Sequence, residues 1–175
     1  MEAATRVIVT QGLSAPTATI AQEAGVSNGS LFTYFETKAD LFNQLYLELK
    51  TGMAAAALEG FPAEGDFRKQ VFHVWSNWMD WATSNPQKRN ALAQLGVSGE
   101  ITAATRAAAQ KTLASLAGLM EQMRSHGSLR NASKGFAGAI MNSLAETTMD
   151  FMIHDPVNAK KHCKIGFEVF WRAIN

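Results

Sequence analysis

Cysteine is nearly absent from this chain. Cys163 stands alone among 175 residues, so no intrachain disulfide can form, which fits a reducing compartment. No apolar run approaches the roughly 18 to 20 residues that span a bilayer, and the first residues lack a basic-then-apolar leader pattern, so a cytoplasmic protein without a membrane partner is expected. The motifs of common catalytic sites are missing too: there is no G-x-S-x-G, no Walker-A loop and no G-x-G-x-x-G. The four histidines, His73, His126, His154 and His162, are scattered outside H-E-x-x-H spacing, and His162-Cys163 are neighbours that point about 100° apart around a helix. Neither an enzyme nor a bound metal or cofactor is expected. Repeats, low-complexity tracts and β-hairpin signals are also lacking, which leaves an all-α fold of about nine helices.

The chain does have a substantial apolar fraction, 47% against 18% charged residues, enough for one good core or two small ones. Thr17 to Phe35, TATIAQEAGVSNGSLFTYF, reads as two short helices around one tight turn. Thr17 is positioned to cap the first, which carries Ile20, Ala21 and Ala24, and Gly25 stops it by entering the left-handed region. Val26 is expected to plug the corner, and Ser27 or Asn28 to cap the second helix. Leu31 and Phe35, four apart, can face the core, leaving Asn28, Gly29, Ser30, Thr33 and Tyr34 outward. Hydroxyl and amide groups on such a helix can meet base edges and phosphates in a major groove. Helix, glycine turn and helix also occur in ordinary helical proteins, so the periodicity alone leaves DNA binding and plain scaffold both open.

Residue detail separates them. The run A-x-x-A-G-V-S-x-G-S-L-F-x-Y-F-x-x-K from Ala21 to Lys38 resembles the N-terminal module of the TetR family of bacterial transcriptional repressors. Within that family the chain looks most like RamR-type regulators of multidrug efflux in enteric bacteria, with shorter matches at Ala145-Glu-Thr-Thr-Met-Asp-Phe151, Asp155-Pro156 and Gly166-Phe-Glu-x-x-Trp-Arg-Ala173. The resemblance implies a helix-turn-helix domain over 1–47 and a ligand-binding and dimerisation domain over 48–175. It also implies a homodimer on double-stranded operator DNA that is released by a small-molecule effector. Ser27, Asn28, Gly29, Ser30, Thr33 and Tyr34 would then touch DNA, with Thr17 and Lys38 on phosphates at helix N-termini.

Charge argues mildly the other way. Residues 1–50 hold three basic side chains, Arg6, Lys38 and Lys50, against five acidic ones, a net of −2 where a DNA-binding module normally shows a basic footprint. In the family a basic arm usually precedes the first helix, so native residues before Met1 are expected to supply that charge. The competing reading is an all-helical small-molecule-binding or adaptor protein whose helix-turn-helix touches no DNA.

The remaining chain is helical by pattern. Val7 and Ile8 on a first helix, Ala3 to Gln11, should back the helix-turn-helix. A long helix opens at Thr37 as N-cap and runs to about Leu58, with Leu41, Phe42, Leu45, Leu49 and Met53 on one stripe. Gly65 to Ala82 carries Trp75, Trp78 and Trp81 and is apolar on more than one side, as core or as cavity wall. Further helices are expected from Pro86 to Leu95, from Glu100 to Ser125 with a stop near Gly127, from Leu129 to His154 and from Pro156 to Ile174. Pocket candidates are Trp75, Trp78, Met120, Met123, Met152, Asp150 and Phe151, with Tyr46 and Lys50 from the long helix, for a flat aromatic or cationic ligand. Asp150 reads more readily as a capped or solvent-facing carboxylate near the helix end, and Lys50 equally as exposed. On the last two helices, Leu129, Phe136, Ile140, Leu144 and Phe151 of the one and Cys163, Phe167, Phe170 and Ile174 of the other form apolar stripes. Gly135, Gly138, Asn142 and Ala145, with Gly166, Val169 and Ala173, form a second stripe, available for a subunit interface that in the family is a four-helix bundle.

Overall fold

A computed structural model describes residues 1–112, 114, 117–125 and 129–174, and among them there are ten α-helices and no strand. The helices are α1 Glu2–Gln11, α2 Thr17–Glu23, α3 Asn28–Tyr34, α4 Lys38–Leu58, α5 Phe67–Ser84, α6 Pro86–Gly96, α7 Ala103–Lys111, α8 Ala117–Ser125, α9 Lys134–His154 and α10 Ala159–Ile174. Several helix starts follow local capping chemistry. Thr37 Oγ1 accepts the Asp40 N–H at 3.0 Å while the Asp40 carboxylate accepts the Glu36 N–H at 3.1 Å, two bonds that start α4. Asp66 caps α5 through the Lys69 N–H at 3.0 Å, and Ser133 caps α9 through the Phe136 N–H at 3.3 Å.

The single helix expected over Glu100 to Ser125 is replaced by α7 and α8. Thr102 caps α7 by accepting the Thr105 N–H at 3.1 Å. The helix closes at Thr112, whose amide and hydroxyl both bond the Ala109 carbonyl. The expected stop near Gly127 and the apolar positions Leu113 and Leu116 lie outside the described residues. At the α9–α10 corner, Pro156–Asn158 forms one turn of 3-10 helix before α10. The Asp155 carboxylate accepts from the Asn158 amide at 2.9 Å and faces His162 Nε2 at 3.0 Å.

Two compact units are present, the first Met1–Met53 with Asn85–Thr112, the second Ala54–Ser84 with Leu113–Asn175. Residues 85–112, which the resemblance includes in the 48–175 domain, pack in the structure with the N-terminal helices. Ala91, Leu92 and Leu95 of α6 are buried in the unit where Ala4, Val7 and Ile8 of α1 are also buried. Asn43 of α4 binds the loop ahead of α7 by donating to the Glu100 carbonyl at 2.8 Å and accepting the Thr102 N–H at 2.9 Å. Arg106 caps the end of α6 at the Gly96 and Ser98 carbonyls, 2.9 and 3.0 Å away.

The core of the second unit gathers Val71, Trp75 and Met79 of α5, Met123 of α8, Ala145, Met149 and Met152 of α9, and Cys163, Phe167, Phe170 and Ile174 of α10. The face that α9 buries is therefore the one carrying Ala145 and the methionines. Phe136, Ile140 and Phe151, one side of the expected apolar stripe, are exposed. Both faces of α9 are apolar enough to be buried, and the small residues Ala137 and Ala145 win because they allow close packing within the chain.

Candidate nucleic-acid interface

The turn between α2 and α3 is built by the backbone. Gly25, at φ +70°, donates its N–H to the Gln22 carbonyl, and Val26 donates to the Ala21 carbonyl, both at 3.0 Å. These two bonds are the Schellman pattern, which satisfies the last carbonyls of α2 and needs a left-handed residue at the glycine. Ser27, the residue two beyond, caps α3: its Oγ accepts the Ser30 N–H at 3.0 Å. Two local expectations differ. Pro16 occupies the N-cap of α2 and Thr17 is its first residue, with no side-chain cap bond, because proline fixes φ and needs no donor there. Val26 is exposed rather than plugging the corner.

Leu31 alone of α3 is buried, while Asn28, Gly29, Ser30, Thr33 and Tyr34 are exposed, Tyr34 at 77%. The hydroxyls are partly committed. Thr33 Oγ1 donates to the Ser30 carbonyl at 2.7 Å, and the Ser27 and Ser30 hydroxyls share one hydrogen bond at 2.9 Å. One of those two serine hydrogens stays available for an outside acceptor, with the amide of Asn28 and the phenol of Tyr34 beside it. A Cβ at Gly29 would meet only Ser27 Oγ at 3.8 Å, so internal packing does not require glycine. Thr17 and Lys38 are half-buried, and Lys38 Nζ lies 5.3 Å from the Phe42 ring centroid. Sequence reasoning missed Phe32 and Val26, whose exposure adds apolar surface to the same module; such groups can meet thymine methyls, and the signal available was two large apolar residues off the Leu31 face.

Arg6 is bound to Glu23 at 2.6 Å, across α1 and α2, so it tethers the two helices. The acid excess of residues 1–50 does not describe the folded unit. Residues 85–112 add Lys88, Arg89, Arg106 and Lys111 against Glu100, and the first unit as a whole holds seven basic and six acidic side chains.

The other candidate residues are dispersed. Tyr46 is buried in the first unit, with Lys50 Nζ and Arg106 Cζ each 5.9 Å from its ring, and Lys50 is half-buried. Trp75 and Met123 are core residues of the second unit, and Trp78 and Met152 pack with them. Phe151 is 58% exposed, with the His162 ring 5.7 Å away. Asp150 is on an exposed face, and the side chain of Met120 lies outside the described residues. Of the small-residue stripe, Gly135, Gly138, Asn142 and Val169 are exposed and Ala173 is half-buried. Ala145 is fully buried inside its own chain, and Gly166 meets Thr148 so closely that a Cβ there would lie 2.2 Å from Thr148 Oγ1. Those two positions have an intrachain role that the sequence pattern did not reveal.

A glycine-terminated helix followed by a serine-capped helix with an open polar face, backed by α1, defines a helix-turn-helix DNA-binding module. The family model for bacterial regulatory proteins, tetR family, matches residues 1–45. A protein from Shewanella sp. PV-4, assigned to the tetR family of transcription regulators, is 27% identical with a TM-score of 0.86, over 99% of this chain and 94% of its own. The same fold occurs in a TetR family transcription regulator from Marinobacter aquaeolei VT8, at 20% identity and TM-score 0.84 over 99% of this chain and 92% of that one. It also occurs in the TetR family regulator PfmR from Thermus thermophilus, at 17% identity and TM-score 0.70 over 99% and 97%. Residues 1–45 thus carry the N-terminal domain of the tetR family of bacterial regulatory proteins, and the chain as a whole shares the fold of these transcription regulators.

Proposed function

We propose that the chain is a ligand-responsive, homodimeric repressor of the cytoplasm, a regulator rather than an enzyme, in which two copies of α3 read successive major grooves of a near-palindromic operator. The observation that carries the reading is the open outer face of α3, where Asn28, Gly29, Ser30, Thr33 and Tyr34 stand exposed on a backbone fixed by Gly25 and Ser27. Grooves on one side of DNA recur about every 34 to 36 Å, so an effector that changes the spacing of two reading helices by a few ångströms releases both half-sites. Dimerisation is assigned to α9 and α10, whose exposed Phe136, Ile140, Ile165 and Val169 form apolar surface beside Gly135, Gly138, Asn142 and Ala173. The effector is assigned to the second unit as a flat aromatic or cationic compound, supported by the half-buried Trp78 and Trp81 of α5. Resemblance to RamR-type regulators makes efflux genes the first candidates for control.

The test is a mobility-shift titration of the protein on its own upstream DNA at fixed salt, with and without aromatic cations. A retarded band that Tyr34→Ala weakens and the compounds dissolve is the expected outcome. An unchanged affinity in Tyr34→Ala removes the assignment of α3.

A further inference from the structure

In the second unit a cleft opens where α5 faces α10. The cleft is open to one side and has a volume of about 640 Å³, within the range of pockets that hold small ligands. Its floor is aromatic: the rings of Phe72 and Phe167 meet edge to face at 4.8 Å. Its rim is cationic. Arg68, Lys69 and Lys164 line it against Asp66 and Glu168, and both acids are committed. Asp66 caps α5 at the Lys69 N–H, and Glu168 is paired with Arg68, whose guanidinium carbon lies 5.8 Å from the rings of Phe167 and Trp171. Lys69 and Lys164 are exposed and have no ion-pair partner among the described residues.

We propose that this cleft binds a small amphipathic monoanion, an aryl- or alkyl-carboxylate, with its apolar body on Phe72 and Phe167 and its carboxylate at Lys69 and Lys164. A cation entering here meets the like charges of Lys69 and Lys164, while the Arg68 charge is paired with Glu168. Inorganic phosphate has no apolar surface to bury on the floor, and a neutral analogue leaves the ammonium groups without a counter-charge. The cleft also reaches the end of α4. His73 lines it, and His73 Nε2 stands 2.7 Å from the Glu59 carbonyl; a carbonyl only accepts, so that nitrogen carries the hydrogen. Asn77 donates to the same carbonyl at 2.9 Å and to the Ala56 carbonyl at 3.3 Å. The bound anion lies against the side chain that closes the last turn of α4.

The probe is 3-phenylpropionate, titrated into the full chain by calorimetry and by ¹H–¹³C spectra of the histidine rings, with 3-phenylpropanol, 3-phenylpropylamine and inorganic phosphate for comparison. The carboxylate should bind roughly tenfold or more tightly than each of the other three and should shift the His73 ring signal, assigned by its loss in His73→Gln. Lys69→Gln and Lys164→Gln, both at exposed positions that leave the fold alone, should each weaken binding several-fold, and Lys88→Gln in the first unit should leave it unchanged. Equal or tighter binding of the amine, the alcohol or phosphate overturns the proposal. So do lysine variants that bind as the wild type does, or no heat and no shift up to about 5 mM carboxylate.

Discussion

The indole N–H of Trp75 donates to the main-chain carbonyl of Cys163 at 3.2 Å, joining α5 to α10 across the core of the second unit. Trp75 is 2% exposed, its ring lies 4.9 Å from Phe170, and burial raises the Cys163 thiol above its ordinary pKa and keeps it neutral. A buried indole without a partner is costly, so this bond sets how the two helices meet.

Trp75→Phe should keep most of the packing and lose the hydrogen bond, at a cost of about 1 to 2 kcal/mol, while Trp75→Ala should cost about 3 to 5 kcal/mol by leaving a cavity. Urea denaturation reads both. If Trp75→Ala is as stable as the wild type and only ligand affinity falls, the residue is a pocket wall after all.

Gly29→Ala separates packing from recognition. A methyl group there meets only Ser27 Oγ at 3.8 Å, and alanine favours helix over glycine, so the isolated protein should gain about 0.5 to 1 kcal/mol. Operator affinity should nonetheless fall, because the methyl group occupies the exposed face of α3. A variant that is more stable and binds DNA equally well would show that the DNA backbone does not approach Gly29.

Gly166 and Thr148 offer the converse case. A Cβ at Gly166 would lie 2.2 Å from Thr148 Oγ1 and 3.0 Å from Thr148 Cβ, so Gly166→Ala forces α9 and α10 apart. A loss of about 1 to 3 kcal/mol is expected, partly recovered in the double variant with Thr148→Ala, which removes the nearest atom. Chemical denaturation of the two variants checks it. No loss in Gly166→Ala would mean that the helix pair has room to adjust.

The assembly can be tested on the outward faces of the same helices. Phe136 and Val169 are 58% and 50% exposed, so Phe136→Asp with Val169→Glu should leave the folded chain intact while placing charges in the proposed interface. Sedimentation at micromolar concentration should show a dimer for the wild type and a monomer for the double variant. A wild type that sediments as a monomer, or a double variant that remains dimeric, removes these faces from the assembly.

Much of the DNA-reading module was legible from residues alone, because its geometry depends on contacts within a few positions along the chain. Gly25 admits the left-handed turn, Ser27 reaches the Ser30 amide three residues on, and Thr37 does the same for Asp40. Even here, Pro16 displaced Thr17 from its cap, since two adjacent candidates compete for one position. The second unit was less legible for a physical reason. Apolar periodicity says that a helix has a face to bury, but α9 has two such faces, and only the partners settle which goes inward. The bond from Trp75 to Cys163 spans 88 residues, the clash at Gly166 depends on where Thr148 lies, and Phe151 faces outward because the side with Ala145 packs closer. In the same way, Asn43 ties 85–112 to the N-terminal helices through the Glu100 carbonyl and the Thr102 N–H, bonds that sequence pattern does not encode. Local hydrogen bonding and backbone freedom were determined by the sequence itself; the choice among equivalent apolar faces, and of distant partners for polar groups, belonged to the tertiary structure.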